Sequence, residues 1–292
     1  VGGADAADFS IEASTGKLSF KAAPDYEKPV DADLNNVYDV KVEAKNGSSQ
    51  VVDARSLSVT VNNKVSVFLM GGQSNMVGLG LNRELTGSLA QPYAPVKMWD
   101  TNSFTSLKPG FAGAAGNYGE FGPELTFGRG IQGATAEEVY LIKHAEGATT
   151  LANDWDPDGA NNREHDIFVD RVGKALASLK AQNVSYDIEG MLWMQGESDN
   201  VGAPSSVYAN NLTAFIQDMR DRYDPNLKFV VGKIHEAFGD EVRTAQEAVA
   251  AADPLTYIVN TDNMQLGSDG VHYNTAGQLE LGYAFANAIK AS

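Results

Sequence analysis

Three side chains have the types and spacing for nucleophilic chemistry: Ser74, Asp269 and His272. Ser74 follows the apolar run Val65, Val67, Phe68, Leu69, Met70, closed by Gly71, Gly72 and Gln73. A β-branched and aromatic run ended by two glycines predicts a buried strand entering a tight turn. Open α/β sheets bind ligands just past the carboxyl ends of their strands, where Ser74 would stand. A helix starting there would aim backbone N–H groups at the same spot. Taken alone, a plain helix N-cap is the commoner role for such a serine. The tail of the chain shifts that balance. In Gly267-Ser-Asp269-Gly-Val-His272, the acid and the histidine are three residues apart, so one tight turn can bring them together. A serine hydroxyl needs a base to take its proton, and the base needs a partner to fix its tautomer. Of the four histidines (144, 165, 235 and 272), only His272 has an aspartate three positions before it.

Four blocks occur in order: Gly72-Gln-Ser-Asn-Met76, Phe121-Gly-Pro-Glu-Leu125, Trp193-Met-Gln-Gly-Glu-Ser-Asp199 and Asp269-Gly-Val-His272. Together they resemble the SGNH (GDSL-like) hydrolase superfamily. The nearer match is its carbohydrate-esterase branch, of the sialate O-acetylesterase and acetylxylan-esterase type (carbohydrate esterase family 6-like). Lys143-His-Ala-Glu-Gly-Ala-Thr-Thr-Leu151 is a fifth, looser match. The resemblance implies a serine esterase that removes O-acetyl groups from a carbohydrate, with xylan and sialic acid both open as substrates. It implies Ser74 as nucleophile, His272 as general base and then acid, and Asp269 as the group orienting the imidazole. By the same resemblance the oxyanion would be held by the backbone N–H of Ser74, the backbone N–H of Gly122 and the side-chain amide of Gln195. Gly116 and Gly119 are neighbouring alternatives to Gly122. Gln73, Asn75, Trp155 and Glu197 are candidate substrate contacts, although Glu197 and Asp199 first suggest groups that hold a loop. No cofactor and no metal are expected.

The elements that must position these residues are legible from the pattern. The chain has 292 residues, 43% hydrophobic, with no cysteine and a formal net charge of −16. That is enough for one large domain, or a medium and a small one. Disulfides and thiolate metal sites are excluded. No apolar run approaches the ~20 residues of a membrane helix. The acidity argues against nucleic acid and anionic membranes as partners. From Val65 onward strand and helix patterns alternate. Strands are expected at 138–143, 188–194, 229–234 and 257–260, and helices at 124–133, 167–182, 205–223, 242–252 and 276–291. Gly78 to Tyr118 reads as loop. This alternation predicts a three-layer α/β/α sandwich around a central parallel sheet, in a domain spanning 64–292.

Residues 1–63 differ in style. Phe9-Ser-Ile-Glu, Lys17-Leu-Ser-Phe-Lys, Val37-Tyr-Asp-Val-Lys-Val and Ser56-Leu-Ser-Val-Thr-Val alternate with period two, predicting a small antiparallel β segment. The pattern resembles the second half of a cadherin-like repeat, which would leave strand edges unpaired. Such repeats often bind calcium, with Asp25, Glu27, Asp31 and Asp33 as oxygen donors here. However, the acidic turn and linker positions are Asn46 and Asn62-Asn63, so a solvated acidic loop is the expectation. Asp154, Asp156, Asp158 and Gly159 mimic the start of an EF-hand, but His165 stands where the closing Glu is required. That loop is read instead as lining a sugar cleft with Trp155. The chain opens at Val1 and reads as a piece of a larger multi-domain protein, secreted or on a bacterial cell surface. Competing readings are a calcium-dependent adhesion or glycan-binding module without turnover, and a lipase or thioesterase using the same three residues.

Overall fold

Eight consecutive buried residues, Val65 to Gly72, can be accommodated only by a strand covered on both faces. They form most of β5 (Lys64–Gly72), the central strand of the computed structural model, which describes residues 1–292 except 27, 63, 112–118, 136–137 and 201. The described chain divides into two compact units, Val1–Lys64 and Val65–Ser292.

In the first unit β1 (Phe9–Ile11) pairs antiparallel with β2 (Leu18–Phe20), and β3 (Val37–Lys45) with β4 (Val51–Thr60). Phe9, Tyr38 and Val40 form its small core, with Phe20 packed edge-on against Tyr38. β4 is exposed along nearly its whole length. Asp31 corrects the solvated-loop expectation. It is buried, and its carboxylate accepts the backbone N–H groups of Asn35 (2.8 Å) and Asn36 (3.2 Å). Among the described residues no cluster of three or more His, Asp or Glu side chains could hold a metal; Glu27 lies outside them.

In the second unit β5 leads into α1 (Ser74–Val77), a single turn, and β6 (Gly80–Leu81). There follow β7 (Tyr93–Asp100), β8 (Ser103–Leu107), β9 (Glu120–Phe121), α2 (Glu124–Thr135), β10 (Val139–Ala145), α3 (Arg163–Ala181), β11 (Ser185–Met194), α4 (Ala203–Arg222), β12 (Lys228–Gly232), α5 (Glu241–Ala252), β13 (Thr256–Val259) and α6 (Thr275–Ala291). The central sheet runs β13-β12-β11-β5-β10-β7-β8. It is mostly parallel, with β8 antiparallel at its edge. Helices α2 and α6 pack together, as do α4 and α5, while α3 lies on β10, β11 and β8. This is the expected three-layer sandwich, with one difference. The stretch read as loop from Gly78 contains β7 and β8, which extend the sheet. Pro95 masks the strand in the sequence, because proline cannot donate to a ladder. The β7–β8 register shifts between Tyr93 and Lys97, which accommodates it. Among the described residues no helix is long and apolar enough to cross a membrane.

Candidate active site

Glycine places the serine. Gly72 has φ 147°, and a side chain there would run into the carbonyl of Met194 on β11. Only glycine lets β5 approach β11 this closely and turn out of the sheet at once. Gly78 (φ 96°) does the same at the end of α1, where a Cβ would meet the backbone of Gly122. Ser74 is therefore fixed at the carboxyl rim of the sheet between two constrained glycines. Across the rim, Asp269 and His272 sit on the loop between β13 and α6. His272 Nε2 lies 2.9 Å from Ser74 Oγ, and His272 Nδ1 lies 2.8 Å from Asp269 Oδ2. The other oxygen of Asp269 accepts the N–H groups of Val271 (2.9 Å) and His272 (3.0 Å). The His272 backbone bond, the bond to its ring and the Val271 N–H lower the Asp269 pKa to about 2. The carboxylate therefore stays charged through the neutral range and can hold the imidazole with Nε2 facing the hydroxyl. The other histidines are engaged elsewhere: His144 with Glu164 (2.8 Å), His165 with Asp218 (2.8 Å), and His235 accepting the N–H of Ala237 (3.1 Å).

The residues around this chain of hydrogen bonds differ from several expectations. Gln195 is fully buried, and its amide nitrogen donates to Gln73 Oε1, the Thr149 carbonyl and Asp199 Oδ2. With three acceptors for two hydrogens, it has nothing left for an oxyanion. The N–H of Gly122 donates to Glu124 Oε1 (2.8 Å) and is likewise committed. Gln73 is buried and accepts from Gly196 N–H (3.2 Å) and Ser198 N–H (3.3 Å), so it joins β5 to the loop after β11 instead of facing a ligand. Asn75 is also buried. Its amide nitrogen donates to Glu197 Oε1 (2.7 Å) and the Val271 carbonyl (3.3 Å), and its oxygen accepts Tyr273 N–H (3.0 Å). Asn75 thus ties the serine turn to the residues on both sides of His272. Trp155 is fully buried, edge-on to Trp193 and hydrogen-bonded to Thr149 Oγ1 (3.1 Å). A large apolar ring was drawn into the core, where burial outweighs any use at the surface. Glu197 is half-buried and bonded to Asn75; desolvation raises its pKa.

Asp199 holds the loop after β10. Its buried carboxylate accepts the N–H groups of Leu151 (2.8 Å) and Ala152 (3.2 Å). That loop carries Gly147, whose added Cβ would lie 3.7 Å from Ser74 Cβ. Next to it, Ala148 has φ 60°, a conformation a non-glycine residue adopts only when its surroundings impose it. Gly147 had no role in the sequence reading. The one signal for it was the loose match over Lys143 to Leu151. Beneath the site, Lys143 and Glu124 form a buried ion pair at 2.7 Å, with side chains 2% and 0% exposed. Lys143 also donates to the Val77 carbonyl at the end of α1 (2.7 Å). Burial lowers its pKa, and Glu124 opposes that shift. This geometry, a serine bonded to a histidine that is bonded to a carboxylate, suits acyl transfer through a covalent intermediate.

Comparison with known proteins agrees with that chemistry. A family model described as "Carbohydrate esterase, sialic acid-specific acetylesterase" matches residues 64–291. A probable carbohydrate esterase of Arabidopsis thaliana is 26% identical over 174 residues, which is 57% of this chain and 62% of the relative. The chain thus spans less than two thirds of that relative's length. An Arabidopsis thaliana protein of known structure superposes with a TM-score of 0.68 at 22% identity, covering 78% of this chain and 98% of that one. NanS superposes at 0.58 with 14% identity, over 80% of this chain and 98% of its own. XAC1771, a carbohydrate acetylesterase from Xanthomonas citri, does so at 0.55 with 18% identity, over 83% and 60%. At these identities the superpositions speak for the fold.

Proposed function

Because this chain belongs to the carbohydrate esterase, sialic acid-specific acetylesterase family, we propose that it is a serine esterase that removes O-acetyl groups from a carbohydrate. The observation carrying this reading is the continuous hydrogen-bonded line Ser74–His272–Asp269. Ser74 Oγ attacks the acetyl carbonyl carbon while its proton passes to His272 Nε2. The tetrahedral intermediate carries a negative oxygen, which needs donors already in place. The N–H of Ser74 and that of Gly147 take this role, the second replacing Gly122 and Gln195. Collapse breaks the bond to the sugar oxygen, which leaves with the proton from His272. Water, deprotonated by the same imidazole, then releases acetate and restores the serine. No step as written calls for a metal or cofactor.

Acetate release from an acetylated polysaccharide, followed beside hydrolysis of acetyl and octanoyl aryl esters, tests the reading. Acetate should appear from the polysaccharide, and acetyl should be the preferred acyl group. A strong preference for octanoyl with no acetate from polysaccharide would point to a lipase and overturn it.

Asn75 supplies a second test. It touches no reacting atom, yet it fixes the loop of His272 relative to the turn of Ser74. Asn75→Ala is predicted to lower kcat about 10²-fold, the order that a small misplacement costs, with KM nearly unchanged. A change confined to KM would instead make Asn75 a substrate contact.

The first unit, residues 1–63 in this reading, is taken as the end of a cadherin-like repeat within a secreted or cell-surface multi-domain protein. Its support is the pair of antiparallel hairpins and the exposed length of β4.

A further inference from the structure

Consecutive residues of β10 point to opposite faces of the sheet, and each holds a helix. Lys143 pairs with Glu124 at the start of α2, and His144 with Glu164 at the start of α3. The second pair has no part in the reaction as written, yet it stands close before Gly147 in the chain. His144 Nε2 lies 2.8 Å from Glu164 Oε2, and both residues are buried. The other oxygen of Glu164 takes Arg163 Nη1 at 3.0 Å. A carboxylate can only accept, so Nε2 carries the hydrogen. His144 Nδ1 is buried with no hydrogen-bond partner among the described residues. The neutral ring fits this setting, whereas a proton on Nδ1 would be a buried donor with nothing to receive it.

The pair closes the base of the loop 146–162 between β10 and α3. Hydrogen bonds then lead from Glu164 back to the oxyanion side. The N–H groups of Glu164 (3.0 Å) and His165 (3.1 Å) donate to the Asp154 carbonyl. The adjacent Trp155 ring lies 5.6 Å from the His144 ring, and its Nε1 donates to Thr149 Oγ1 (3.1 Å). That hydroxyl donates to the Glu146 carbonyl (2.8 Å), closing a turn around Gly147 and Ala148. The left-handed Ala148 (φ 60°) is held inside this turn, and the Gly147 N–H with it. We infer that His144 is a positioning residue for that N–H: its Nε2 bond to Glu164 keeps the oxyanion loop in place, and a proton on Nδ1 releases it. The inference rests on the esterase reading above, with Gly147 as an oxyanion donor. The charges facing the ring agree with it. Burial lowers the His144 pKa; the Glu164 bond and charge oppose this, and Arg171 and Arg163 on α3 add to the lowering. Gly71, beside His144 on β5, brings no side chain. Lys143 and Glu124, on the other face, neutralise each other.

The test follows kcat and KM for an acetyl aryl ester against pH in the parent, His144→Gln, His144→Ala and Glu164→Gln. Protonation of His272 alone gives a one-proton acid limb. The parent should steepen to a two-proton limb as His144 takes its proton. His144→Gln keeps an N–H for Glu164 and cannot titrate. It should retain most of the activity at neutral pH and show a one-proton limb throughout. His144→Ala should lower kcat about 10²-fold, as loss of an oxyanion donor does, with KM nearly unchanged. Glu164→Gln removes the charge that favours the imidazolium, so the steeper limb should move to lower pH. Ring NMR signals of His144, assigned by their absence from His144→Gln, should show the hydrogen on Nε2 at neutral pH and a protonation coinciding with the steeper limb. A one-proton limb in the parent, or a steep limb that persists in His144→Gln, would overturn the inference and leave the esterase reading standing. So would a ring hydrogen on Nδ1 at neutral pH. Should His144→Ala not fold, the profile of His144→Gln decides. Full activity in a folded Ser74→Ala protein would overturn both readings.

Discussion

Replacing Ser74 with alanine is expected to lower kcat for acetyl ester hydrolysis by at least about 10³-fold, and toward the ~10⁶-fold seen when a serine protease loses its nucleophile. The reason is local. The hydroxyl bonds His272 Nε2 at 2.9 Å, and among the described residues it is the one group hydrogen-bonded to that nitrogen. His272→Ala should cost a similar amount and Asp269→Asn somewhat less, because the aspartate acts through the imidazole. The three losses should not add, since each removes the same relay. Stability should hardly change in Ser74→Ala, because the removed oxygen makes one partly buried bond. Steady-state rates on an acetyl aryl ester, with circular dichroism to confirm folding, check this. A folded Ser74→Ala protein hydrolysing at the parent rate would remove Ser74 from the mechanism.

The largest effect on stability is expected from the Lys143–Glu124 pair. Lys143→Met removes the cation and leaves the Glu124 carboxylate buried, with the Gly122 N–H as its remaining partner. Breaking a buried pair from one side typically costs about 3–5 kcal/mol, because an uncompensated charge stays out of water. At about 2–4 °C per kcal/mol for a chain approaching this length, the melting temperature should fall by about 10 °C. The Val77 carbonyl also loses its donor, so the turn carrying Ser74 should loosen and kcat should fall along with stability. Combining Lys143→Met with Glu124→Gln removes both charges, and the double variant should be less destabilised than the sum of the singles. Chemical denaturation of the three variants measures this. A Lys143→Met loss below about 1 kcal/mol, or strict additivity, would show that the pair is not electrostatically coupled as the burial implies.

Both predictions concern residues inside motifs visible in the sequence, yet the two were not equally legible there. Ser74 could be singled out because its block occurs in order with three others that together resemble a known hydrolase superfamily; the strand closed by Gly-Gly, taken alone, leaves a plain N-cap as the commoner role. The same is true of Asp269 and His272, three positions apart, whose mutual bond needs only one turn of backbone. Lys143 and Glu124 also fall within matched blocks. Their pairing, however, depends on β10 and the start of α2 meeting beneath α1, and nothing local predicts it. The edge strands β7 and β8 were obscured for a related reason. Pro95 suppresses the local strand signal, and the seven-stranded sheet tolerates it through a register shift.

By itself the sequence determined the alternating architecture, the acidic charge and which residues could be nucleophile, base and orienting acid. These follow from patterns with a range of a few residues, where backbone geometry alone fixes what can meet. The tertiary structure decided that Ser74 and His272, 198 positions apart, stand at hydrogen-bond distance. It also decided which polar groups near them are still free. Gln73, Asn75, Gln195 and the Gly122 amide all bear the right chemistry for a site, but buried donors and acceptors must find partners, and these found them in one another. That competition is settled by packing between strands and loops far apart in the chain, which left Gly147 beside the serine, a placement that no local pattern ranks.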